Sequence, residues 1–269
     1  MIKSISILAG QNKAGQKEKF ERIDISSGEI VGIVGPTGSG KSALVEDIEQ
    51  LAQSDTTTQR QILINDQIPD SSLRFDPKKK LIAQLSQNMN FIADMTVEDF
   101  LKLHSKCRGK NTDLVNKIIY HANLLTGEPI KKEMNLTVLS GGQSRSLMVA
   151  DVAFISDSPV VLIDEIENAG IKKHEAMELL SGHGKIVLVV THDPLLALLT
   201  QRRIVMQNGG INKIIRTSQE ERDLCAQLYL VDKELFRIRE MVRAGVEVIT
   251  ELDFGNVESK EMEFFSEIN

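Results

Sequence analysis

Ile30-Val31-Gly32-Ile33-Val34-Gly35-Pro36-Thr37-Gly38-Ser39-Gly40-Lys41-Ser42-Ala43-Leu44-Val45 is the stretch that decides the fold. Ile30 to Val34 is a short apolar strand, and an amphipathic helix runs from about Ser42 to Ala52. Between them, Gly35 to Ser42 fits G-x-x-x-x-G-K-[ST] in full, with the strand before it and the helix after it that the pattern needs. The glycines Gly35, Gly38 and Gly40 let the backbone curl so that successive N–H groups point at phosphate oxygens, with Pro36, Thr37, Ser39 and Ala43 completing the cradle. The helix N-terminus adds the positive end of its dipole. Lys41 brings a cation to the β- and γ-phosphates, and the Ser42 hydroxyl is placed for Mg²⁺.

Working outward, residues 2–8 alternate and read as an edge strand. Residues 10–19 are a polar loop, and Ile23 and Ile25 mark a second strand. Gln61 to Ile64 is a strand closed by the turn-forming Asn65-Asp66. Leu81 to Leu85 is another strand. From about Val97 to Thr137 the pattern is helical, an insertion in an otherwise α/β chain. A helix over about 143–156, an apolar strand at Val160 to Ile163, a helix over about 173–181 and an apolar strand at Ile186 to Val190 follow. Strands that are apolar throughout and separated by helices imply a parallel sheet covered on both faces. Ile204 to Met206 and Ile211 to Ile215 flank Asn208-Gly209-Gly210 as a hairpin.

The strand at Val160 ends in Asp164-Glu165. Asp164 can face Mg²⁺ across the phosphate loop, and Glu165 can polarise an attacking water as general base. Beyond residue 215, Ser218 and Glu221 form a helix-start signature. Leu224, Leu228, Val231, Leu235, Ile238 and Val242 then repeat at spacings of 4 and 3, an apolar seam on a helix ending near Gly245. The seam has two readings, packing on its own domain or pairing with another chain. Residues 256–269 read as a polar, acidic tail.

Composition sets the limits. The chain has 269 residues, 41% of them hydrophobic and 26% charged, with a formal net charge of −6. That is ordinary for a soluble globular protein and is not the balance of a nucleic-acid binder. Cys107 and Cys225 are too few for a disulfide framework. No stretch reaches the ~20 apolar residues of a membrane span, and Met1 to Leu8 carries no signal-peptide pattern. The expectation is a cytoplasmic chain, reaching the inner face of a membrane only through another subunit.

Three further elements narrow the choice. Leu139-Ser140-Gly141-Gly142-Gln143 stands about 20 residues before the acidic strand. Gln87 opens a segment that runs to Met95-Thr96-Val97. His192 follows the strand at Ile186 to Val190, within Thr191-His192-Asp193. With the phosphate loop and Asp164-Glu165, these five motifs in this order closely resemble the ATP-binding cassette (ABC) ATPases, over about residues 1–215. The resemblance implies a P-loop NTPase core with an N-terminal antiparallel β subdomain and an inserted α-helical subdomain over about 88–150. Residues 216–269 form a C-terminal helical extension outside the minimal cassette. It implies ATP and Mg²⁺ as ligands, with Gln87 reaching the metal or the water and His192 the γ-phosphate. It also implies a head-to-tail dimer, in which Ser140, Gly141, Gly142 and Gln143 close on the nucleotide held by the second copy.

The sequence departs from the family in three places. Residues 9–17 hold no aromatic to stack on adenine, and Phe20 reads as part of a strand, so GTP stays open beside ATP. The segment after Glu165 is Ile166-Glu167-Asn168-Ala169-Gly170-Ile171, without the family's aspartate at Ile171. After the signature, Ser144-Arg145-Ser146 and Ala150-Asp151 alter the helix's charges. What the ATPase drives is expected to be a transporter's transmembrane subunit. The alternative is a soluble client, a metalloenzyme or assembly complex remodelled in the cytosol.

Overall fold

The computed structural model describes residues 2–75, 80–86, 89–164 and 171–248. Gln87, Glu165, residues 166–170 and the tail expected at 256–269 lie outside these residues.

Two sheets carry the chain. β1 (Ser4–Leu8), β2 (Arg22–Ser26) and β4 (Gln61–Ile64) form an antiparallel sheet in the order β2-β1-β4. β1 is therefore the central strand and not an edge: it pairs with β2 on one side and β4 on the other. Its alternation misleads because the polar member, Ser6, is itself fully buried and donates to Asp24 at 2.6 Å. Phe20 precedes β2 instead of lying in a strand, and packs half-buried against the core beneath.

The second sheet has the order β5-β6-β7-β3-β8-β9, from β5 (Ile82–Ser86), β6 (Val160–Asp164), β7 (Ile186–Val190), β3 (Ile30–Val34), β8 (Arg202–Gln207) and β9 (Gly210–Arg216). All its pairings are parallel except the β8–β9 hairpin. Its inner strands are apolar on both faces because both faces are covered. Val160 and Leu162 of β6 and Leu188 of β7 join β1, β2, β4 and helix α1 (Lys41–Glu49) in one core. Val161, Ile163, Val187 and Val189 point the other way, into a core closed by α5 (Gly141–Phe154), α6 (Lys173–Ser181), α7 (Pro194–Leu198) and α8 (Gln219–Arg243).

The remaining helices are the short α2 (Ser71–Phe75), then α3 (Val97–Cys107) and α4 (Val115–Leu125). α3, α4 and the inner face of α5 enclose a third core around Val97, Leu101, Ile118, Ala122 and Leu147. This is the inserted helical subdomain.

α8 has the expected length, capping box and stop, with Gly245 at φ 69° beyond it. The face it buries takes in one seam residue, Leu228, which packs half-buried against the core, and otherwise lies beside the seam. Cys225, Ala226 and Tyr229 pack into the core, whereas Leu224, Val231, Leu235 and Val242 are exposed. The helix lies on its own cassette by a neighbouring face, so the seam's period reported a helix without reporting its contact.

Candidate functional site

The phosphate loop leaves the C-terminal end of β3. Asp164 is the last residue of β6, and His192 lies just past the end of β7. β6, β7 and β3 are adjacent and parallel, so motifs more than a hundred residues apart meet at one sheet edge, where ligands of open α/β sheets bind. β5, whose end precedes Gln87, is the next strand beyond β6.

The loop is built for close packing and for anions. Gly38 and Gly40 take φ of 78° and 101°, backbone that side chains avoid. A Cβ on Gly35 would meet the Met206 carbonyl oxygen at 2.5 Å, and one on Gly40 would meet Gly209 Cα at 2.8 Å. The β8–β9 turn is thus seated directly on the loop, with the Gly209 N–H donating to the Ser39 carbonyl at 2.8 Å.

α3, α5, α7 and α8 each receive a side-chain cap, from Thr96, Ser140, Asp193 and Ser218. α1 has none, and no acidic residue in its first turn. α4 and α6 also lack a side-chain cap, so what distinguishes α1 is the glycine loop that precedes it, whose curled backbone suits an anion. The three Lys41 ammonium protons have three acceptors: the Gly35 carbonyl at 2.8 Å, the Pro36 carbonyl at 3.3 Å and His192 Nε2 at 3.2 Å. An ammonium can only donate, so Nε2 is the accepting side of that contact.

Mg²⁺ needs few protein ligands when phosphates supply the rest. Ser42 at the start of α1 and Asp164 at the end of β6 fit that role. Among the described residues no cluster of three His, Cys, Asp or Glu forms a separate metal cage.

The signature segment stands apart, on the helical subdomain at the start of α5. Ser140 Oγ accepts the Gln143 N–H at 3.3 Å, and Gln143 Oε1 accepts the Ser140 N–H at 2.9 Å. Gln143 also donates to the Pro129 carbonyl at 3.1 Å and is buried, so its side chain builds the helix start, while Ser140 is half-buried and Gly141 exposed. Ile171, where the family has an aspartate, is buried in the lower core and bridges Thr126.

Three residues that the sequence did not single out shape the site. Lys13 Nζ donates to the Gly38 carbonyl at 2.8 Å, which ties the aromatic-free loop of residues 9–17 to the phosphate loop. Arg60 is fully buried and binds Glu18 at 2.7 Å and Asp47 of α1 at 2.9 Å. Glu18 in turn accepts the Ile211 N–H at 2.6 Å, so one ionic cluster joins the β subdomain, α1 and the hairpin. Lys173, at the start of α6, binds Asp193 at 2.7 Å and Asp232 of α8 at 3.0 Å. Nothing in the pattern around Arg60 or Lys173 marks them, because their partners are distant in sequence.

A phosphate loop on β3, an acidic strand end beside it and a helix-start signature on a separate helical insertion define an ABC-type ATPase. Residues 21–168 match the family model described as "ABC transporter", and the chain belongs to that family as an ATP-binding subunit. It is 63% identical to an uncharacterized ABC transporter ATP-binding protein of Methanocaldococcus jannaschii over 91% of this chain and 94% of that one. Among solved structures it is similar to cbiO1 from Clostridium perfringens, part of the ABC transporter complex cbiONQ (TM-score 0.60, 19% identity, 91% of this chain and 99% of that one). It is also similar to an ATP-binding cassette solved as a dimer in a post-hydrolysis state with ADP and Pi (TM-score 0.56, 20% identity, 80% and 99%). These two likenesses are in fold.

Proposed function

We propose that the chain binds Mg-ATP at the β3–α1 loop and hydrolyses it between two copies of itself arranged head to tail. What supports this is the separation of two helix starts, one on the sheet domain and one on the helical subdomain. The N-terminus of α1 belongs to the sheet edge, and that of α5 to the helical subdomain. A phosphate cradled by the first leaves little room for the second from the same chain. Because each copy carries both halves, a two-fold pair completes two sites at once.

In such a pair the α1 backbone and Lys41 hold the β- and γ-phosphates. Ser42 and Asp164 would hold Mg²⁺, which would offset charge on the phosphate oxygens, and Gln87 is the further residue assigned to the metal or the water. Glu165 orients and deprotonates the water, and His192 contacts the γ-phosphate. Ser140, Gly141 and Gly142 of the second copy cover the γ-phosphate from the far side, with Gln143 holding that turn in shape. Closure then depends on ATP and is released by hydrolysis.

Among the described residues no helix is long and apolar enough to cross a membrane. Membership of the ABC transporter family supports a separate transmembrane subunit as the driven element, held at the cytoplasmic face of the membrane against the groove between the α/β core and residues 88–138. The second reading, a soluble client, is favoured by the exposed apolar stripe Leu224, Val231, Leu235 and Val242 on α8.

Affinity isolation of Glu165→Gln protein with Mg-ATP from its native cells separates the two. A multi-span membrane protein supports the transporter reading. A soluble enzyme lost on deleting residues 218–269 supports the client reading. A protein that stays monomeric by light scattering with Mg-ATP overturns the homodimer.

A further inference from the structure

Lys173 is the first residue of α6, and its side chain is only 7% exposed. Its ammonium lies between two carboxylates, Asp193 Oδ2 at 2.7 Å and Asp232 Oδ1 at 3.0 Å. Burial alone lowers its pKa, but the bonds to Asp193 and the charge of Asp232 outweigh that and raise it. The amine therefore stays charged wherever the protein is folded at neutral pH.

Asp193 directly follows His192 and is fixed at every polar group. Its Oδ1 accepts the Leu196 N–H at 3.2 Å, capping α7, and its own N–H donates to Thr191 Oγ1 at 2.9 Å. Its second oxygen is the one Lys173 holds. On the other side of His192, the buried Thr191 donates its N–H to the Ile33 carbonyl at 3.4 Å. The backbone around His192 thus has one anchor in the sheet and one in the Lys173 ammonium. The same ammonium is anchored on α8, whose Cys225 and Tyr229 pack into the core that also holds Leu195 and Leu196 of α7.

We propose that Lys173 is a positioning residue for His192, and that it makes the docking of α8 part of the ATPase site. Lys173 does not touch nucleotide. It sets where the imidazole stands by fixing Asp193, and Asp232 sets where Lys173 stands. α8 is then a control element: a partner that lifts it takes Asp232 away and loosens the His192 segment. The effect on turnover rests on the γ-phosphate role given to His192 above.

The test uses the full chain with Lys173→Met, Lys173→Arg and Asp232→Asn. Two readouts are followed: steady-state ATPase, and the ¹⁵N signals of the His192 ring, assigned with His192→Gln. Misplacing a catalytic contact by a fraction of its bonding distance costs on the order of 10- to 100-fold. Lys173→Met is expected to lose that much in kcat at little-changed KM for ATP, and to shift or broaden the His192 signals. Asp232→Asn is expected to fall between it and the wild type, and Lys173→Arg to regain most of the loss. The proposal is overturned if the wild type turns over while Lys173→Met and Asp232→Asn both keep their kcat and leave the His192 signals in place. If the wild type shows no turnover, the hydrolysis reading fails instead, and the ring signals alone decide on Lys173. Should Lys173→Met not fold, the pair Asp232→Asn and Lys173→Arg decides by the same two readouts.

Discussion

Lys41 Nζ stands 3.2 Å from His192 Nε2, joining residues 151 positions apart at one sheet edge. The cation proposed for the phosphates and the imidazole proposed for the γ-phosphate are thus adjacent before any ligand geometry is invoked. Removing the amine takes a charged donor from the phosphates, and a charge-assisted hydrogen bond contributes about 1.5–3 kcal/mol. Lys41→Ala is therefore expected to weaken nucleotide binding by about 10- to 150-fold. Fluorescence anisotropy of a labelled ATP analogue measures it. Affinity within twofold of wild type would place the phosphates elsewhere.

Ser140 faces the far side of the proposed sandwich, so its substitution should separate binding from closure. In the Glu165→Gln background, S140R is expected to bind nucleotide as a monomer with unchanged affinity and to lose the ATP-dependent dimer. The lost N-cap costs about 1 kcal/mol of local stability, which leaves the domain folded. Static light scattering with and without Mg-ATP decides; a normal dimer would rule out this face as the closing surface.

Arg60 holds two carboxylates in a fully buried cluster. Arg60→Met would leave Glu18 and Asp47 buried without their cation. Breaking a buried pair from one side costs about 3–5 kcal/mol. The expected result is a urea midpoint shifted well downward, together with weaker nucleotide binding, because Asp47 lies on α1. A variant that unfolds at the wild-type midpoint would show that the cluster contributes nothing net.

The two thiols should behave oppositely. Burial pushes the Cys225 thiol up to about 12, with the nearby Asp193 charge adding to the shift, whereas Cys107 is exposed. At pH 8 in native buffer one thiol, Cys107, is expected to react with an alkylating probe, and the second only after unfolding. The raised pKa also sets a sign. The folded state keeps the proton that the unfolded thiol releases near 9, so this contribution is complete below pH 9 and is lost as pH rises toward about 12. The stability difference between wild type and Cys225→Ala should therefore be flat below pH 9 and shrink above it. A flat difference up to pH 11 would contradict the buried assignment.

Much of this was legible in order along the chain. The run Gly35 to Ser42 named its own strand and helix, because that loop has one physical use. Val160 to Ile163 and Ile186 to Val190 announced strands covered on both faces, because runs of four and five consecutive apolar residues in a strand must be kept dry on both sides. The signature at Ser140 announced a helix start, which the capping box of Ser140 and Gln143 builds. β1 was misplaced at an edge, because Ser6 looks exposed in a pattern, yet it is buried between the two flanking strands and donates outward to the exposed Asp24. The seam on α8 was read as a contact, yet that helix docks through Cys225, Ala226 and Tyr229.

The sequence by itself determined the class of protein and the local elements that carry its motifs. Those depend on short local patterns, whose backbone geometry and chemistry travel with the residues that carry them. Only the tertiary structure decided that Arg60 joins Glu18 to Asp47, that Lys13 reaches the phosphate loop, and that Lys173 ties the His192 segment to α8. Each of these is a pairing of charges or polar atoms across large sequence separations, and such pairings leave no periodicity behind. They exist because burying one charge demands an opposite one within about 3–4 Å, and the fold alone determines which residue that will be.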